Sequence, residues 1–487
     1  MTNALLQNLQ EKWSTTKFRD VILSLQPGFA CGKRDDKGYI QLRMNNIGLG
    51  GRVITDSFLK VPKSETNLKK YLLQNGDVIF NNTNSPELVG KTVLFRGEIN
   101  NCVYSNHLTR IRVNNDLTTP DFVTHFLRIE QRKGTFQLLC RRFVGQAAVP
   151  KESLLNLDFP LPPINEQKHI VSKIDELSKE SKSAREALDK IPQIMKKFRQ
   201  SLLTTAFRGE IVSQNPNDES AKTLIERIRD SKEKHGKKIE LDESDLSTIP
   251  TNWVWVSLGE LLEYLQYGTS EKASATSETG VPILRMGNIQ DGKVDLAKLK
   301  YIILGKKELQ KYLLQENDIL INRTNSPELV GKSAIFDLDT NFVFASYLIR
   351  LITIKDIALP KYVNHVINSI YGRRHVERVR HQVAGQSNIN SDDIRRMPIP
   401  LAPLDEQRRI VNKIEELFSF ADQIERSVDE AKKRTDKIDQ AILAKAFRGE
   451  LVSQDPNDEP ASVLLERIKQ EKELEIKQTK VKQKNKK

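Results

Sequence analysis

The sequence has few of the residues that build metal or disulfide sites. Its 487 residues include three cysteines, Cys31, Cys102 and Cys140, an odd number at scattered positions. Such a set argues against a disulfide framework or a zinc site and favours a reducing compartment. The seven histidines are dispersed, which argues against a cluster of metal ligands. We therefore expect no metal in this chain.

Targeting and membrane signals are also missing from the sequence. The first residues, MTNALLQNLQEKW, lack the charged, then apolar, then small-residue order of a secretory signal. No run of about 18 apolar residues is long enough for a spanning helix. These absences predict a cytoplasmic protein with no membrane partner.

The charge balance is strongly basic. Lysine and arginine number 77 against 64 aspartates and glutamates, which gives a formal net charge of +13. The length suggests roughly three domains, or two with long connectors. A chain of this size and charge points to a polyanionic partner, although charge alone does not say which one.

The chain contains the same pattern twice. The run YLLQNGDVIFNNTNSPELVGKTVLF from Tyr71 returns from Tyr312 as YLLQENDILINRTNSPELVGKSAIF, an offset of 241. The run FRGEIVSQNPNDE from Phe207 returns from Phe447 at an offset of 240. This period is far too long for a solenoid repeat. The sequence therefore encodes two tandem half-chains with one architecture.

Each half-chain combines a mixed α and β domain with a long helix, so the predicted fold class is α+β. Short β-type runs bounded by turn signals alternate with short helical patterns in the first part of each half. Beyond Pro163 and Pro403 the pattern is purely helical. The expected segments are mixed domain 1 (1–161), helix 1 with a kink at Pro192 (162–212), a helical linker (213–250), mixed domain 2 (251–401), helix 2 (402–452), and a short helix with a basic, disordered tail (453–487).

The two long helices carry a coiled-coil pattern. Apolar residues recur at alternating steps of four and three from Ile170 to Leu202 and from Ile410 to Ile442. Such a stripe needs a partner surface. We expect the two helices to pack antiparallel on each other, which would give an internal pseudo-two-fold repeat. The alternative is that each helix packs on its own domain or mediates homodimerisation.

No catalytic motif is complete. Gly90-Lys91 resembles the end of a phosphate-binding loop, but Ser85 stands where the first glycine is required, and a β run follows instead of a helix. Asp121 and Glu130 faintly resemble a metal nuclease, yet the second copy has Lys361 in place of Asp121. We therefore expect no catalytic residue and no enzymatic activity.

Three segments of each half-chain carry a family resemblance. They are a Gly-Gln pair, a proline-rich turn before Glu-Gln, and a Phe-Arg-Gly run after the long helix. In this sequence they are Gly145-Gln146, Pro160 to Gln167 and Phe207 to Gly209, then Gly385 to Ile389, Pro400 to Gln407 and Phe447 to Gly449. Over essentially the whole chain, this arrangement closely resembles the specificity (S) subunit of type I restriction–modification systems.

The resemblance implies a function and a set of partners. Each mixed domain would be a target recognition domain that reads one half of a split sequence in double-stranded DNA. The helices would set the spacing and dock two modification (methyltransferase) subunits, which carry S-adenosylmethionine. Two restriction subunits, which use ATP and Mg²⁺, would join the complex, and this chain itself would hold no cofactor. The competing interpretation is a coiled-coil scaffold that organises proteins without sequence-specific DNA binding.

Candidate DNA contacts are amide, hydroxyl and basic side chains in three regions of each domain, because amides can read adenine and arginine can read guanine. The alternative for each cation is a solvated face, and for the Asn in the Thr-Asn-Ser-Pro turn it is a bond within that turn. The candidates are Arg43, Asn45, Asn46, Asn82, Thr83, Lys91, Arg141, Arg142 and Gln146, and then Arg285, Asn288, Arg323, Thr324, Lys332, Arg373, Arg374, Arg378, Arg380 and Gln386. To the helix seam and subunit docking we assign Gln167, Ile170, Ile174, Leu177, Leu188, Phe198, Gln407, Ile410, Ile414, Leu417, Ile424 and Ile438.

Overall fold

The computed structural model describes residues 10–64, 68–232, 241–243, 246–273, 276–290, 292–383 and 386–471. The chain divides into two compact units, Met1–Asp189 with Glu430–Lys487, and Lys190–Asp429. Each unit contains one of the two mixed domains, together with part of each long helix. The basic tail predicted to be disordered lies beyond 471, outside the described residues.

The first half-chain contains twelve strands among its described residues, and its long helix α5 is continuous through Pro192. The strands are β1 (Ser14–Lys17), β2 (Ile22–Pro27), β3 (Tyr39–Leu42), β4 (Leu59–Val61), β5 (Asp77–Asn81), β6 (Thr83–Asn84), β7 (Thr92–Phe95), β8 (Cys102–Tyr104), β9 (Leu108–Val113), β10 (Arg141–Phe143), β11 (Gln146–Ala148) and β12 (Asp158–Leu161). The helices are α1 (Leu68–Tyr71), α2 (Pro120–Arg132), α3 (Thr135–Leu139), α4 (Lys151–Leu155), α5 (Ile164–Ala206) and α6 (Ala221–Lys232).

The second half-chain repeats this order with two additional short strands. Its strands are β13 (Val254–Ser257), β14 (Leu262–Tyr267), β15 (Val281–Leu284), β16 (Ile289–Gln290), β17 (Gly292–Val294), β18 (Lys300–Ile302), β19 (Ile319–Asn322), β20 (Thr324–Asn325), β21 (Ser333–Ile335), β22 (Val343–Phe344), β23 (Leu348–Thr353), β24 (His381–Val383), β25 (Gln386–Asn388) and β26 (Pro398–Leu401). The helices are α7 (Lys306–Tyr312), α8 (Pro360–Asn368), α9 (Ile370–Val379), α10 (Ser391–Arg395) and α11 (Leu404–Ala446). Residues 461–471 are helical again.

The central sheet of each mixed domain is antiparallel and covered on both faces. In the first unit its order is β2-β9-β5-β7, and the corresponding second sheet, β14-β23-β19-β21, is extended by β17 and β16, with β17 parallel to β21. All residues of β5 are buried because alternate side chains enter different cores. Val78 and Phe80 join the core with α2, whereas Ile79 packs with Tyr104 on the other face. The absence of polar alternation in this run follows from that double burial.

Each unit builds its main core from both long helices. In the first unit Ile170 and Ile174, near the start of α5, share a core with Ile442 and Phe447 at the end of α11. In the second unit Ile410 and Ile414 of α11 lie in one core with Leu203 and Phe207. Within each unit, the start of one long helix therefore packs on its own mixed domain, and the end of the other long helix packs in the same core.

Both long helices end at a left-handed glycine. Gly209 and Gly449, which end the two Phe-Arg-Gly runs, have φ values of 77° and 74°. A residue with a Cβ rarely adopts this conformation, so glycine ends the helix at low cost. The helices stop at Ala206 and Ala446, short of the predicted limits at 212 and 452. The kink predicted at Pro192 stays a prediction. No helix of the described part of the chain is long and apolar enough to cross a membrane.

Candidate nucleic-acid interface

A small antiparallel sheet in each unit brings two of the three predicted contact regions together. In the first unit β11 pairs with β10 and also with β6, where Ala148 lies opposite Thr83. In the second unit β25 pairs with β24 and β20, and the Thr324 hydroxyl donates to the side-chain oxygen of Asn388 at 2.5 Å. We call β6, β10 and β11 hairpin sheet 1, and β20, β24 and β25 hairpin sheet 2. The Asn/Thr run and the Gly-Gln segment thus form one surface.

Hairpin sheet 1 projects an unusual tip. Phe143 and Val144 are exposed by 63% and 106%, next to Gly145 with a φ of 75°. Two adjacent exposed apolar side chains beside basic residues make this tip a candidate contact surface. The three predicted contact residues of this hairpin are all exposed: Arg141, Arg142 and Gln146.

The turns after β6 and β20 are stabilised by hydrogen bonds of their own asparagine side chains. Asn84 donates to the Asn81 side-chain oxygen at 2.6 Å and accepts from the Ser85 backbone N–H at 2.8 Å. Asn325 accepts from the Ser326 N–H at the same distance. These asparagines stabilise their own turn, which was the structural alternative drawn from the sequence.

Asn46 and Asn288 are not available to DNA, so their assignment as contacts was wrong. Asn46 is buried, accepts from the Arg43 N–H at 3.1 Å and donates to the Ile54 oxygen at 3.0 Å. Asn288 makes the same bond to the Arg285 N–H at 3.0 Å. Both amides fix a backbone corner, and a buried amide committed in this way cannot also read a base edge. Asn45, one position earlier, is exposed.

Two arginines of the second half are engaged within the protein. Arg373 donates to the backbone oxygens of Val330 at 2.5 Å and Glu328 at 3.1 Å, and burial lowers the pKa of its guanidinium. Arg378 donates to both carboxylate oxygens of Asp242 at 2.7 and 2.8 Å. The assignment of Arg373 as a DNA contact is corrected to a structural role, whereas the exposed Arg378 stays a candidate. The remaining candidates differ in exposure: Arg374 and Gln386 are exposed, and Arg380 lies 3.6 Å from Glu377.

The two hairpin sheets differ most clearly beside the β6-type strand. Asn82 and Arg323 are structurally equivalent, because their N–H groups donate to the His107 and Tyr347 backbone oxygens at 3.1 and 3.0 Å. The Arg323 guanidinium lies 4.9 Å from the centre of the Tyr267 ring. Asn82 and Arg323 were both candidates from the sequence, but Tyr267 and Tyr347 were not. An aromatic residue at the end of β14 and another directly before β23 were the signals that could have identified them.

Gly90 and Lys91 serve packing rather than a phosphate loop. Gly90 has a φ of 87°, and a Cβ there would lie 2.2 Å from the Phe136 ring. Gly331 is similarly constrained, with a φ of 77° and a Cβ that would lie 2.4 Å from Val376. The Lys91 ammonium donates to the Met44 oxygen at 3.0 Å, and burial lowers its pKa. Lys91 therefore links the segment of Met44 and Asn45 to the strand that leads into the Asn/Thr run. Lys332 occupies the equivalent position in the second half-chain.

The carboxylates that faintly suggested a nuclease are ion-paired. Asp121 accepts from Arg96 at 2.6 Å, and Glu130 accepts from Lys133 at 2.7 Å. Within the residues that the structure describes, no group of three or more His, Cys, Asp or Glu side chains is placed to hold a metal ion. Asp121, in the first turn of α2, and Glu130, near its end, are thus each held in an ion pair.

Gln167 and Gln407 do not belong to the helix seam, so that assignment was wrong. The buried Gln167 amide donates to the oxygens of Leu117 and Pro162 at 2.9 Å and accepts from the Thr118 hydroxyl at 2.8 Å. The Gln407 amide donates to the Ile357 oxygen at 2.7 Å. Each glutamine ties the first turn of its long helix to its own mixed domain.

The preceding glutamates add a second tie at each helix start. Glu166 is buried and accepts from the Trp13 indole at 2.8 Å and from the Gln454 amide at 3.3 Å. Gln454 follows α11 in the chain, so this carboxylate connects the start of one long helix to the segment after the other. A carboxylate in the first helical turn is also favoured by the helix dipole.

The seam residues differ in burial. Ile170, Ile174, Ile410 and Ile414 are buried, but Ile438 is half exposed at 50%, so it lies outside the buried seam and its role in subunit docking stays a prediction. The buried positions of α11 instead follow a spacing of seven through Val428, Thr435 and Ile442. The other assigned seam residues are partly buried: Leu177, Leu188, Phe198, Leu417 and Ile424.

Comparison with known proteins identifies the family. The model of the type I restriction modification DNA specificity domain matches residues 11–193 and 250–431, once in each half-chain. The chain therefore belongs to this family, as its resemblance to S subunits predicted.

Relatives and solved structures agree with this assignment over most of the chain. The chain is similar to the type I restriction enzyme EcoKI specificity subunit of Escherichia coli K12, with 30% identity over 443 residues and 88% of each chain covered. It is 28% identical to the StySPI specificity subunit of Salmonella potsdam, covering 95% of this chain and 96% of the relative.

Its fold is similar to the crystal structure of the HsdS subunit from Thermoanaerobacter tengcongensis, with a TM-score of 0.56 and 20% identity. This match covers 92% of this chain and 100% of that chain. A chain from a structure of a type I R-M system gives a TM-score of 0.63 at 20% identity, covering 91% of this chain and 99% of that one.

Proposed function

We propose that this chain is the DNA sequence-recognition subunit of a type I restriction–modification complex, in which each mixed domain reads one half of a bipartite target. The observation that carries the proposal is the paired occurrence of the hairpin sheet, once within each copy of the family domain. Two similar frames with different side chains at equivalent positions are suited to reading two different half-sites.

Base reading would come from the polar side chains of the hairpin sheets. Gln146 and Gln386 are exposed on β11 and β25, and amides pair with adenine edges. Arg323 replaces Asn82 at the equivalent position, and arginine pairs with the guanine edge. A two-stranded ribbon also fits the major groove in width.

Phosphate contacts would come from the exposed cations near these sheets. Arg141 and Arg142 flank the hairpin tip, and Arg374 is exposed in the second unit. Such contacts fix the register of the protein on the duplex and give binding its salt dependence. The net charge of +13 is consistent with this role.

The long helices would act as the spacer and as the docking site for two methyltransferase subunits. The chain supplies two helices of 43 residues, each roughly 65 Å long at the rise of an α-helix. Their antiparallel coiled-coil pairing and the pseudo-two-fold relation of the halves are part of this proposal. Apolar residues on them remain exposed, including Ile194 at 51% and Phe420 at 57%, and could be covered by a partner.

The chemistry of the complex would reside in the partners. S-adenosylmethionine would be bound by the methyltransferase subunits, and ATP with Mg²⁺ by two restriction subunits reached through them. This chain would contribute recognition and no catalytic group, and the complex would work in the cytoplasm. Its own residues would determine which sequence is modified.

The direct test is selection of bound sequences from a random duplex library, using the purified chain alone and with its methyltransferase partner. The expected result is a split motif with a fixed gap, bound more weakly as salt increases. Sequence-independent binding, or none, would favour the coiled-coil scaffold instead. Replacing residues 13–160 with the domain of another family member should change one half of the motif and leave the other intact.

A further inference from the structure

A cavity of about 750 Å³ lies inside the first compact unit. Its walls are the loop around Gly48 to Ile54, helix α2, the stretch of α5 from Asp175 to Arg185, and the stretch of α11 from Thr435 to Leu443. This volume is in the range of small-molecule sites. Neither hairpin sheet contributes to its lining, so the cavity is separate from the DNA-binding surface proposed above.

Arg128 of α2 places a largely buried guanidinium in this cavity. Its Nε is buried without a hydrogen-bond partner, and its Nη1 lies 3.3 Å from the His125 Nδ1. Among the described residues it forms no ion pair with a carboxylate. Burial lowers its pKa to about 10. Asp439 and Asp175 oppose this lowering of the pKa, but neither pairs with the guanidinium, so a bound anion would still stabilise the buried charge.

Gly51 allows the backbone to lie directly against this guanidinium. The residue has a φ of 79°, and a Cβ would lie 2.9 Å from the Arg128 guanidinium. The backbone conformation favours glycine at this position, and the missing Cβ lets the guanidinium lie against the loop. The loop and the arginine together form a compact cationic wall.

The cavity lining has more cations than carboxylates. Even without Arg185, six cations face three carboxylates. Asp121 is already paired with Arg96 at 2.6 Å, and Asp175 lies 3.8 Å from the His125 ring. Lys182 lies 3.5 Å from Glu186 on the exposed face of α5, and Arg132 donates to the Asp439 backbone oxygen at 3.1 Å. The six cations are Arg52, Arg96, Arg128, Arg132, Lys179 and Lys182, and the third carboxylate is Asp439.

The second unit has a cavity of about 690 Å³ at the equivalent place, and there the helix charges are reversed. At an offset of 240, Lys182 corresponds to Asp422 and Asp439 corresponds to Arg199. Arg199 donates to Asp422 at 2.6 Å and to Glu425 at 2.9 and 3.0 Å. In the second cavity the α5 cation Arg199 is thus paired with two carboxylates of α11.

The α2 cation is also replaced in the second unit. Arg128 corresponds to Asn368, whose amide donates to the Ser333 backbone oxygen at 3.0 Å and to the Asn364 oxygen at 2.9 Å. A neutral, hydrogen-bonded side chain therefore occupies the place of the buried guanidinium. Both cavities are lined by more cations than carboxylates, but the buried Arg373 guanidinium of the second donates to two backbone oxygens, whereas the Arg128 Nε of the first has no hydrogen-bond partner.

We propose that the cavity of the first unit binds a small phosphorylated anion, with Arg128, Arg132 and Lys182 as its cationic ligands. The guanidinium fork matches phosphate oxygens, and several excess cations match a multiply charged group better than a single carboxylate. The cavity is bounded by the mixed domain and by both long helices, so a bound anion would bridge these elements within the unit. This site goes beyond target recognition and does not depend on it.

Isothermal titration of the full chain with inorganic pyrophosphate, at constant ionic strength, tests the proposal. One site per chain is expected. Arg128→Gln and Lys182→Asp should each weaken binding by about tenfold or more, the loss typical of a charge-assisted contact. Lys168→Asp makes the same charge change on the exposed start of α5, outside the cavity, and should bind pyrophosphate as the parent chain does. Lys182 is exposed on α5, so Lys182→Asp should fold and still tests the site if Arg128→Gln does not fold.

Equal pyrophosphate affinity in the parent chain and in both cavity variants would overturn the site, as would the absence of saturable binding. Displacement of pyrophosphate by a target duplex would assign the phosphate contact to DNA and would also overturn it. Retention of pyrophosphate on the duplex-bound chain would support a separate small-molecule site. Failure of sequence-specific DNA binding would contradict the proposed function but would leave this result intact.

Discussion

Trp13 and Glu166 are 153 residues apart in the sequence, and the Trp13 indole donates to the Glu166 carboxylate at 2.8 Å. The relation repeats in the second half-chain, where Trp253 donates to Glu406 at 3.0 Å. Burial raises the pKa of both carboxyls, and the hydrogen bonds oppose that rise. The same pair therefore fixes the start of each long helix to the first strand region of its own mixed domain.

Removing the Glu166 carboxylate should destabilise the first unit. Glu166→Ala leaves the indole of Trp13 and the amide of Gln454 without their acceptor, and unsatisfied buried donors cost about 1–3 kcal/mol each. Urea unfolding followed by tryptophan fluorescence should show a lower free energy of unfolding. Glu176→Ala, at an exposed position of the same helix, is the matched control and should change it by less than about 0.5 kcal/mol. Equal effects of the two variants would contradict a structural role for the pair.

The second unit should lose stability in mild acid through His365. Burial lowers the pKa of this imidazole to about 4, whereas an unfolded histidine titrates near 6.5. As the pH falls from 6.5 towards 4, the unfolded state takes up the proton first, so this contribution to stability is present above 6.5 and is lost below it. The expected loss is on the order of 2 kcal/mol at about pH 4.5.

The measurement is the unfolding midpoint between about pH 7.5 and pH 4.5, compared among three chains. His365→Gln should have a flatter pH profile than the parent chain. His169→Gln, which changes an exposed histidine of α5, should keep the parental slope. A parental slope in His365→Gln would mean that other groups cause the acid sensitivity.

Arg199 should contribute more to helix pairing than an ordinary surface cation. Its guanidinium pairs with both Asp422 and Glu425, and 21% of its side chain is exposed to solvent. Arg199→Lys preserves the charge but loses the bidentate geometry, so we expect a loss of about 1 kcal/mol. Lys432→Ala removes the pair with the exposed Asp189 and should cost less than about 0.5 kcal/mol. Double-mutant cycles in urea would measure both coupling energies.

Exchanging the side chain at the equivalent reading position should alter one half of the target. Arg323→Asn gives the second unit the residue found at Asn82, so base preference should relax in one half-site by about 1–3 kcal/mol at one base pair. Library selection with the variant provides the readout. Arg19→Asn, a partly exposed arginine away from the hairpin sheets, should leave the motif unchanged. Changes in both half-sites would contradict independent reading by the two domains.

The exposed tip of hairpin sheet 1 should matter for DNA binding and not for stability. Phe143→Ala removes a ring that is 63% exposed, so the free energy of unfolding should change by less than about 0.5 kcal/mol. If the ring stacks on bases or a sugar, duplex affinity should fall by about 1–3 kcal/mol. Leu138→Ala, at an exposed position of α3 outside the hairpin, is the control. Fluorescence anisotropy would compare them, and unchanged affinity in Phe143→Ala would place the tip outside the interface.

The tandem repeat and the two long helices could be predicted because the repeat is long and its helices are strongly periodic. Their positions follow from spacing and composition, whereas the antiparallel coiled-coil pairing of the helices stays a prediction. The strand runs around Val78 and Ile319 were identified from their turn signals.

Individual side chains were harder to assign, because a sequence does not show where an amide points. Asn46 looked like a base-reading residue, but its neighbours in space, Ile54 and Ser57, supply carbonyls that engage it fully. Arg373 looked solvent-facing until the 326–332 turn placed two backbone oxygens against it. Ile438 fitted the step pattern, yet its side chain is half exposed, whereas Ile442 of the same predicted stripe is buried. These outcomes depend on tertiary neighbours far away in the chain.

The composition of the two cores has a consequence for biosynthesis. The second unit is one continuous stretch, Lys190–Asp429, so all of its core residues have left the ribosome before the chain is finished. The first unit needs Ile442, Phe447 and Leu465 to complete a core that begins at Trp13. The part of this core that is made first must therefore wait, with an incomplete apolar interior, until Leu465 has been translated.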